Sequence, residues 1–179
     1  MSTYTLNVAG VTRELPLCPV NDKLDIAAFV MFSDVELTEA CAAELLEKLP
    51  EFDVLITAET KGIPLAYAMA RQSGKNYFVA RKSVKVYMTD PISVNVQSIT
   101  THGMQTLYLA QEDVCRIKGR KVMIIDDVIS TGESLLALEK LVGEAGGIIA
   151  AKAAVLAEGE AAERTDIVFL EKLPVFPHD

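Results

Sequence analysis

No apolar run in the chain approaches the roughly 20 residues that a membrane-spanning helix needs. The opening MSTYTLNVAG lacks the basic and apolar regions of a secretory leader. A cytoplasmic protein that stays out of membranes is therefore expected. Cysteine is scarce: Cys18, Cys41 and Cys115 are odd in number and far apart. Their spacing fits neither a metal site nor a disulfide framework, so buried thiols in a reducing compartment are expected. Basic residues are outnumbered, with 17 Lys and Arg against 25 Asp and Glu and a net charge of −8. An acidic surface disfavours nucleic acid and anionic membrane as partners, but leaves room for a small basic pocket. The G-x-x-x-x-G-K-[ST] run of P-loop proteins is missing, as are internal repeats, low-complexity tracts and linkers.

What is present is an ordinary globular composition: 179 residues, 50% apolar and 23% charged. That is enough for one domain with a substantial core. The expected organisation is a single domain over 1–179, with an N-terminal arm over 1–50, a core over 51–157 and a closing segment over 158–179.

YTLNVAGVTREL alternates about Ala9-Gly10 and reads as a hairpin. Pro16 and Pro19 forbid regular helix in LPLCPVND. Leu24, Ile26, Phe29 and Val30 suggest a helix over 24–33, and Thr38 is placed to cap a second helix reaching Lys48 before Pro50. DVLITA (53–58), a helical stretch over 62–74 stopped by Gly74, and NYFVAR (76–81) make a β-α-β unit. KVMIID (121–126), a helix over 132–147 and IIAAKAAVLA (148–157) make another, with Leu135, Leu138, Leu141 and Val142 on one helix face. Apolar strands alternating with helices predict an α/β fold, a parallel sheet flanked by helices on both faces. Between the units, SVNVQSIT and MQTLYLA alternate about His102-Gly103, which predicts an antiparallel pair.

The chemistry concentrates in VMIIDDVISTGES, residues 122–134. Two carboxylates end an apolar strand, where burial is costly unless they face a cleft. There they can accept hydrogen bonds from sugar hydroxyls or approach a metal. The following turn opens a helix, whose backbone N–H groups and dipole favour a phosphate. Ser130, Thr131 and Ser134 add hydroxyl donors, and Gly132 permits close approach. Acceptors for hydroxyls beside donors for a phosphate fit a ribose 5-phosphate. Thr131 capping a helix beside surface acids is the simpler alternative, but it leaves two acids after four apolar residues unexplained.

This stretch resembles the phosphoribosyl pyrophosphate (PRPP) motif of the type I phosphoribosyltransferases, with Glu133 where many members have a small residue. The resemblance implies that Asp126 and Asp127 contact the ribose hydroxyls and carry catalysis, and that Ser130, Thr131, Gly132 and Ser134 hold the 5-phosphate. TAETKGIP (57–64) resembles the pyrophosphate turn of adenine-type members, with Lys61 at their Arg position. Thr60, Lys61 and the basic cluster Arg81, Lys82 and Lys85 are then the implied pyrophosphate contacts. Thr101-His102-Gly103 stands where adenine-type members carry Glu-Tyr-Gly, so His102 is a candidate acid or base. The segment ELPLCPVNDKLDIA resembles the base-binding hood, with Asn21 as a reader of the base edge, and LEKLPVF resembles the closing strand.

The implied architecture adds this hood and a flexible β-hairpin loop over 83–107 to the parallel sheet. The implied reaction moves ribose 5-phosphate from PRPP to a purine and releases pyrophosphate. Adenine is the first candidate, with xanthine, hypoxanthine and guanine behind it. Mg²⁺ would be held mainly by PRPP, with no direct protein ligand, and a homodimer is the implied assembly. A regulator that senses PRPP or a nucleotide on the same fold, without catalysis, is the alternative. The net charge of −8 and the lack of a helix-turn-helix pattern favour the enzyme.

Overall fold

A computed structural model describes residues 2–97 and 104–177. Its centre is a five-stranded sheet built from β4 (Val54–Ala58), β5 (Asn76–Ala80), β8 (Lys121–Ile129), β9 (Ile148–Glu158) and β10 (Val168–Leu173). All neighbours are parallel, in the order β10-β9-β8-β4-β5. The apolar runs therefore read correctly as strands buried on both faces. All five residues of β4 are buried.

Helices α2 (Ile63–Ser73) and α4 (Glu133–Glu144) follow β4 and β8. Leu65, Ala68 and Met69 of α2 join the hydrophobic cluster on one face of the sheet. Leu135, Leu138, Leu141 and Val142 of α4 join the cluster on the other. The chain thus leaves neighbouring strands towards opposite faces, which opens a crevice at their carboxyl ends. As predicted, α2 stops at Gly74, whose left-handed φ of 69° suits glycine.

A second sheet of four strands has the order β1-β2-β3-β11. It contains β1 (Thr3–Val8), β2 (Val11–Asn21), β3 (Leu24–Ala27) and β11 (Val175–Pro177). Ala9 and Gly10, at φ 51° and 72°, form the tight turn between β1 and β2.

Two expectations are corrected here. Residues 24–33 are not a helix: 24–27 are β3, paired antiparallel with both β2 and β11. Pairing partners distant in sequence override the weak helical spacing. Helix α1 (Val35–Lys48) is capped by Asp34, not Thr38; the Asp34 carboxylate accepts from the Leu37 N–H. Thr38 is buried in the first turn, donating its hydroxyl to the Asp34 carbonyl at 2.7 Å.

The intervening segment forms β6 (Ile92–Gln97) and β7 (Met104–Leu109), an antiparallel pair as predicted. Arg81 and Tyr108 exchange both backbone hydrogen bonds, joining this pair to the end of β5. The short helix α3 (Gln111–Ile117) was not anticipated. Thr101 and His102 lie outside the described residues.

Candidate active site

The acids of β8 do not end their strand, which continues three residues further to Ile129. What changes at this point is the neighbour. β4 pairs with β8 only as far as Ile56 and Ile124, whereas β9 stays paired through Ile129. Asp126 and Asp127 therefore flank an open side of the sheet, where β4 has already turned away.

Into that opening comes the turn after β4. Its bend depends on Gly62: a Cβ there would lie 2.3 Å from Thr57 Oγ1 and 3.2 Å from Asp126 Oδ1. Any side chain would drive the turn off the strand ends. The Glu59–Thr60 peptide bond in this turn is cis. Turn and strand enclose a cavity of about 310 Å³ bounded by Thr60, Lys61, Lys82, Asp126, Asp127 and Ser134. A smaller cradle of about 50 Å³ adjoins it, formed by residues 128–135 with Asp126. It holds Ser130, Thr131, Gly132 and Ser134 at the N-terminus of α4, where free N–H groups and the helix dipole favour an anion. Gly132 takes φ 79°, a left-handed conformation that explains the glycine.

The electrostatics are unsettled. Asp127 is 3% exposed, and its Oδ2 has no hydrogen bond. Lys61 Nζ stands 3.2 Å from that oxygen, near enough for an ion pair but not in line to donate. Asp126 accepts the Asp127 backbone N–H at 2.9 Å. Burial, and then the adjacent Asp127 charge, push its carboxyl up to about 8. Two adjacent carboxylates resist ionising together unless a cation or hydroxyl donors arrive.

The basic cluster is organised by Glu59. Its carboxylate accepts the Lys82 backbone N–H at 3.0 Å and lies 3.4 Å from Arg81 Nη2. That N–H first, then the charges of Arg81, Lys85 and Lys82, hold Glu59 below its usual range. Lys85 does not line the cavity; its ammonium donates to Ser83 Oγ at 2.7 Å. Asn21 stands apart, at the end of β2, with its Oδ1 taken by the Lys23 N–H at 2.8 Å.

Two residues at the site had no signal in the sequence. Gln105 on β7 donates from Nε2 to Ser134 Oγ at 3.2 Å, tying the hairpin to the cradle. Glu158, at the end of β9, is half-buried; burial raises its carboxyl while Lys61 pulls the other way. Both act across gaps in sequence that no local pattern spans.

Comparison with known proteins follows the same outline. The family described as phosphoribosyl transferase domain matches residues 35–176. The purine biosynthesis transcriptional repressor PurR of Bacillus subtilis (strain 168) is 36% identical over 110 residues, 62% of this chain but 38% of the repressor. The adenine phosphoribosyltransferase of Rhodococcus jostii (strain RHA1) is 33% identical over 127 residues, 70% of this chain and 69% of that enzyme. The crystal structure of adenine phosphoribosyltransferase from Thermoanaerobacter pseudethanolicus ATCC 33223 superposes with a TM-score of 0.73 at 21% identity, over 88% of this chain and 95% of that one.

Proposed function

Because the chain belongs to the phosphoribosyl transferase domain family, in its type I purine branch, we propose that it is a purine phosphoribosyltransferase using PRPP. The observation that carries this reading is the shared opening. The paired acids, the anion cradle and the lysine-bearing turn all meet at one cavity of about 310 Å³ and its annex.

In this reading the 5-phosphate sits on Ser130, Thr131, Gly132 and Ser134. Asp126 and Asp127 orient the ribose hydroxyls and stabilise the positive charge that grows at the anomeric carbon. Thr60, Lys61 and Lys82 receive the diphosphate, with Arg81 and Lys85 adding charge from the side. Lys61 must swing from Asp127, 3.2 Å away, to the diphosphate, so donor binding separates that pair. Adenine is the first acceptor to expect, because the Rhodococcus relative is named for it. Asn21 is retained as a base contact only if its side-chain amide, rather than the Oδ1 committed to Lys23, reads the base. The hairpin β6–β7 excludes water from the bound sugar.

Mg²⁺ fits these residues. The buried, unbonded Asp127 Oδ2 is a hard oxygen donor suited to such an ion or its water shell. Among the described residues no group of three or more His, Cys, Asp and Glu gathers to hold a metal. Most ligands would then come from PRPP. The chemistry such an ion would supply there is charge compensation for the departing diphosphate, beside Asp127, Lys61 and Lys82. A cytoplasmic homodimer completes the reading; among the described residues no helix is long and apolar enough to cross a membrane.

The test is pyrophosphate release from PRPP and Mg²⁺ with adenine, hypoxanthine, guanine or xanthine. Release with adenine fastest is expected, and no release with any of the four refutes the enzyme. The 36% identity to the repressor supports a second reading, a PRPP sensor without turnover. Salt-dependent binding of duplex DNA together with inert PRPP would favour it.

A further inference from the structure

Behind the cradle lies a chain of ion pairs that the proposed reaction does not use. Lys152 on β9, only 16% exposed, donates to Glu139 of α4 at 2.6 Å and to Asp166 at 2.5 Å. Asp166 also accepts Arg164 Nε at 2.9 Å and Nη2 at 2.7 Å. These contacts, led by Arg164, hold the Asp166 carboxyl well below its usual range. The two-pronged pairing fixes the plane of the guanidinium, which a lysine could not do.

One edge of Arg164 is thus committed to Asp166. The nitrogen outside that fork, Nη1, lies against the anion cradle. A Cβ built on Gly132 would come within 2.7 Å of it. Glycine at 132 therefore serves two ends, the φ of 79° and room for a guanidinium. Hydroxyls and backbone N–H groups were the only donors that the motif implied for the phosphate. Arg164 adds the cationic end of an ion pair, with Asp166 on its far edge, 30 and more residues further along the chain from residues 130–134.

We propose that Arg164 is a positioning residue of the cradle: locked by Asp166, it supports the loop at Gly132 and contributes fixed positive charge to the phosphomonoester site. This rests on the reading of residues 130–134 as the 5-phosphate site. It extends that site to a side chain outside the motif. Lys152 and Glu139 have a part in it, because they anchor Asp166 to the helix that the cradle opens.

The test is ribose 5-phosphate binding by calorimetry, with steady-state kinetics alongside, for wild type, Thr131→Ala, Arg164→Met, Arg164→Lys and Asp166→Asn. Arg164→Met should weaken ribose 5-phosphate and raise the PRPP KM by roughly tenfold, as expected for a charge-assisted contact. The purine KM and kcat should stay within about twofold, whereas a merely structural role would move every constant together. Arg164→Lys and Asp166→Asn should fall between, since each keeps a charge but loses the fork. If Arg164→Met does not fold, these two carry the test. Weakening by Thr131→Ala with unchanged binding in the Arg164 and Asp166 variants overturns the inference and leaves the cradle reading intact. If wild type fails to bind ribose 5-phosphate, the cradle reading falls and the inference falls with it.

Discussion

Asp127, towards the carboxyl end of β8, and Asp166, just ahead of β10, live under opposite conditions. Asp127 is 3% exposed, yet its Oδ2 has no hydrogen bond. Asp166 has a side chain 50% exposed, yet it accepts Lys152 Nζ, Arg164 Nε and Arg164 Nη2. Burial and satisfaction run the wrong way for a protein built only to be stable, because a buried carboxylate oxygen with an ion-pair neighbour but no hydrogen bond is costly to keep. The difference separates two jobs. The outer network ties α4 and β9 to the stretch between η1 (Gly159–Glu163) and β10. The inner pair, with one lysine against Asp127 and the Asp126 carboxyl raised, has the pattern of a binding site.

The largest effect should come from removing the inner pair. Asp126→Ala with Asp127→Ala should lower transferase activity by about 10³-fold or more, since the charge-stabilising groups go together. Circular dichroism should still report a folded protein. Near-normal turnover with any purine would sink the site assignment.

Breaking the outer network should do the reverse. Lys152→Met leaves the half-buried Glu139 without its cation and should cost about 1–2 kcal/mol of stability. At about 2–4 °C per kcal/mol for a chain of this length, thermal denaturation would resolve it easily. Unchanged Tm would show that the network is not the scaffold described above.

The inner pair also sets a pH dependence. Asp126 has a folded-state value raised to about 8, above its unfolded range. Its protonated form is therefore favoured by folding, so its contribution is fully present below about pH 4 and lost as pH rises through 8. Asp126→Asn removes the titration. The Tm advantage of Asp126→Asn over wild type should be absent near pH 4, grow on the alkaline side and level off above pH 8–9. An advantage that shrinks with rising pH would show that Asp126 is not the strained acid of the pair.

Much of this was legible from residue order alone. The strands around 54–58 and 76–80 and the first part of β8, 121–126, announced themselves as apolar runs, and Gly74 announced the end of α2. The acids and the cradle residues 130–134 lie within one short motif, so their proximity to each other needs no tertiary argument. Residues 24–27 misled because their apolar spacing suits a helix, whereas pairing with β2 on one side and with β11, some 150 residues away, on the other makes them a strand. Gln105 and Arg164 were invisible for a related reason. Each reaches the cradle from a different element, and neither belongs to a pattern with it.

Residue types and spacing determined that this chain carries β-α-β units and paired acids just ahead of a hydroxyl-rich helix start, because periodicity and turn chemistry act over a dozen residues or fewer. The tertiary structure alone decided that β4 leaves β8 after Ile124, that α2 and α4 fall on opposite faces, and that Lys61 meets Asp127 in the gap between. Those outcomes depend on how separate elements bury their apolar faces against one another. No window of the sequence contains both sides of that contact.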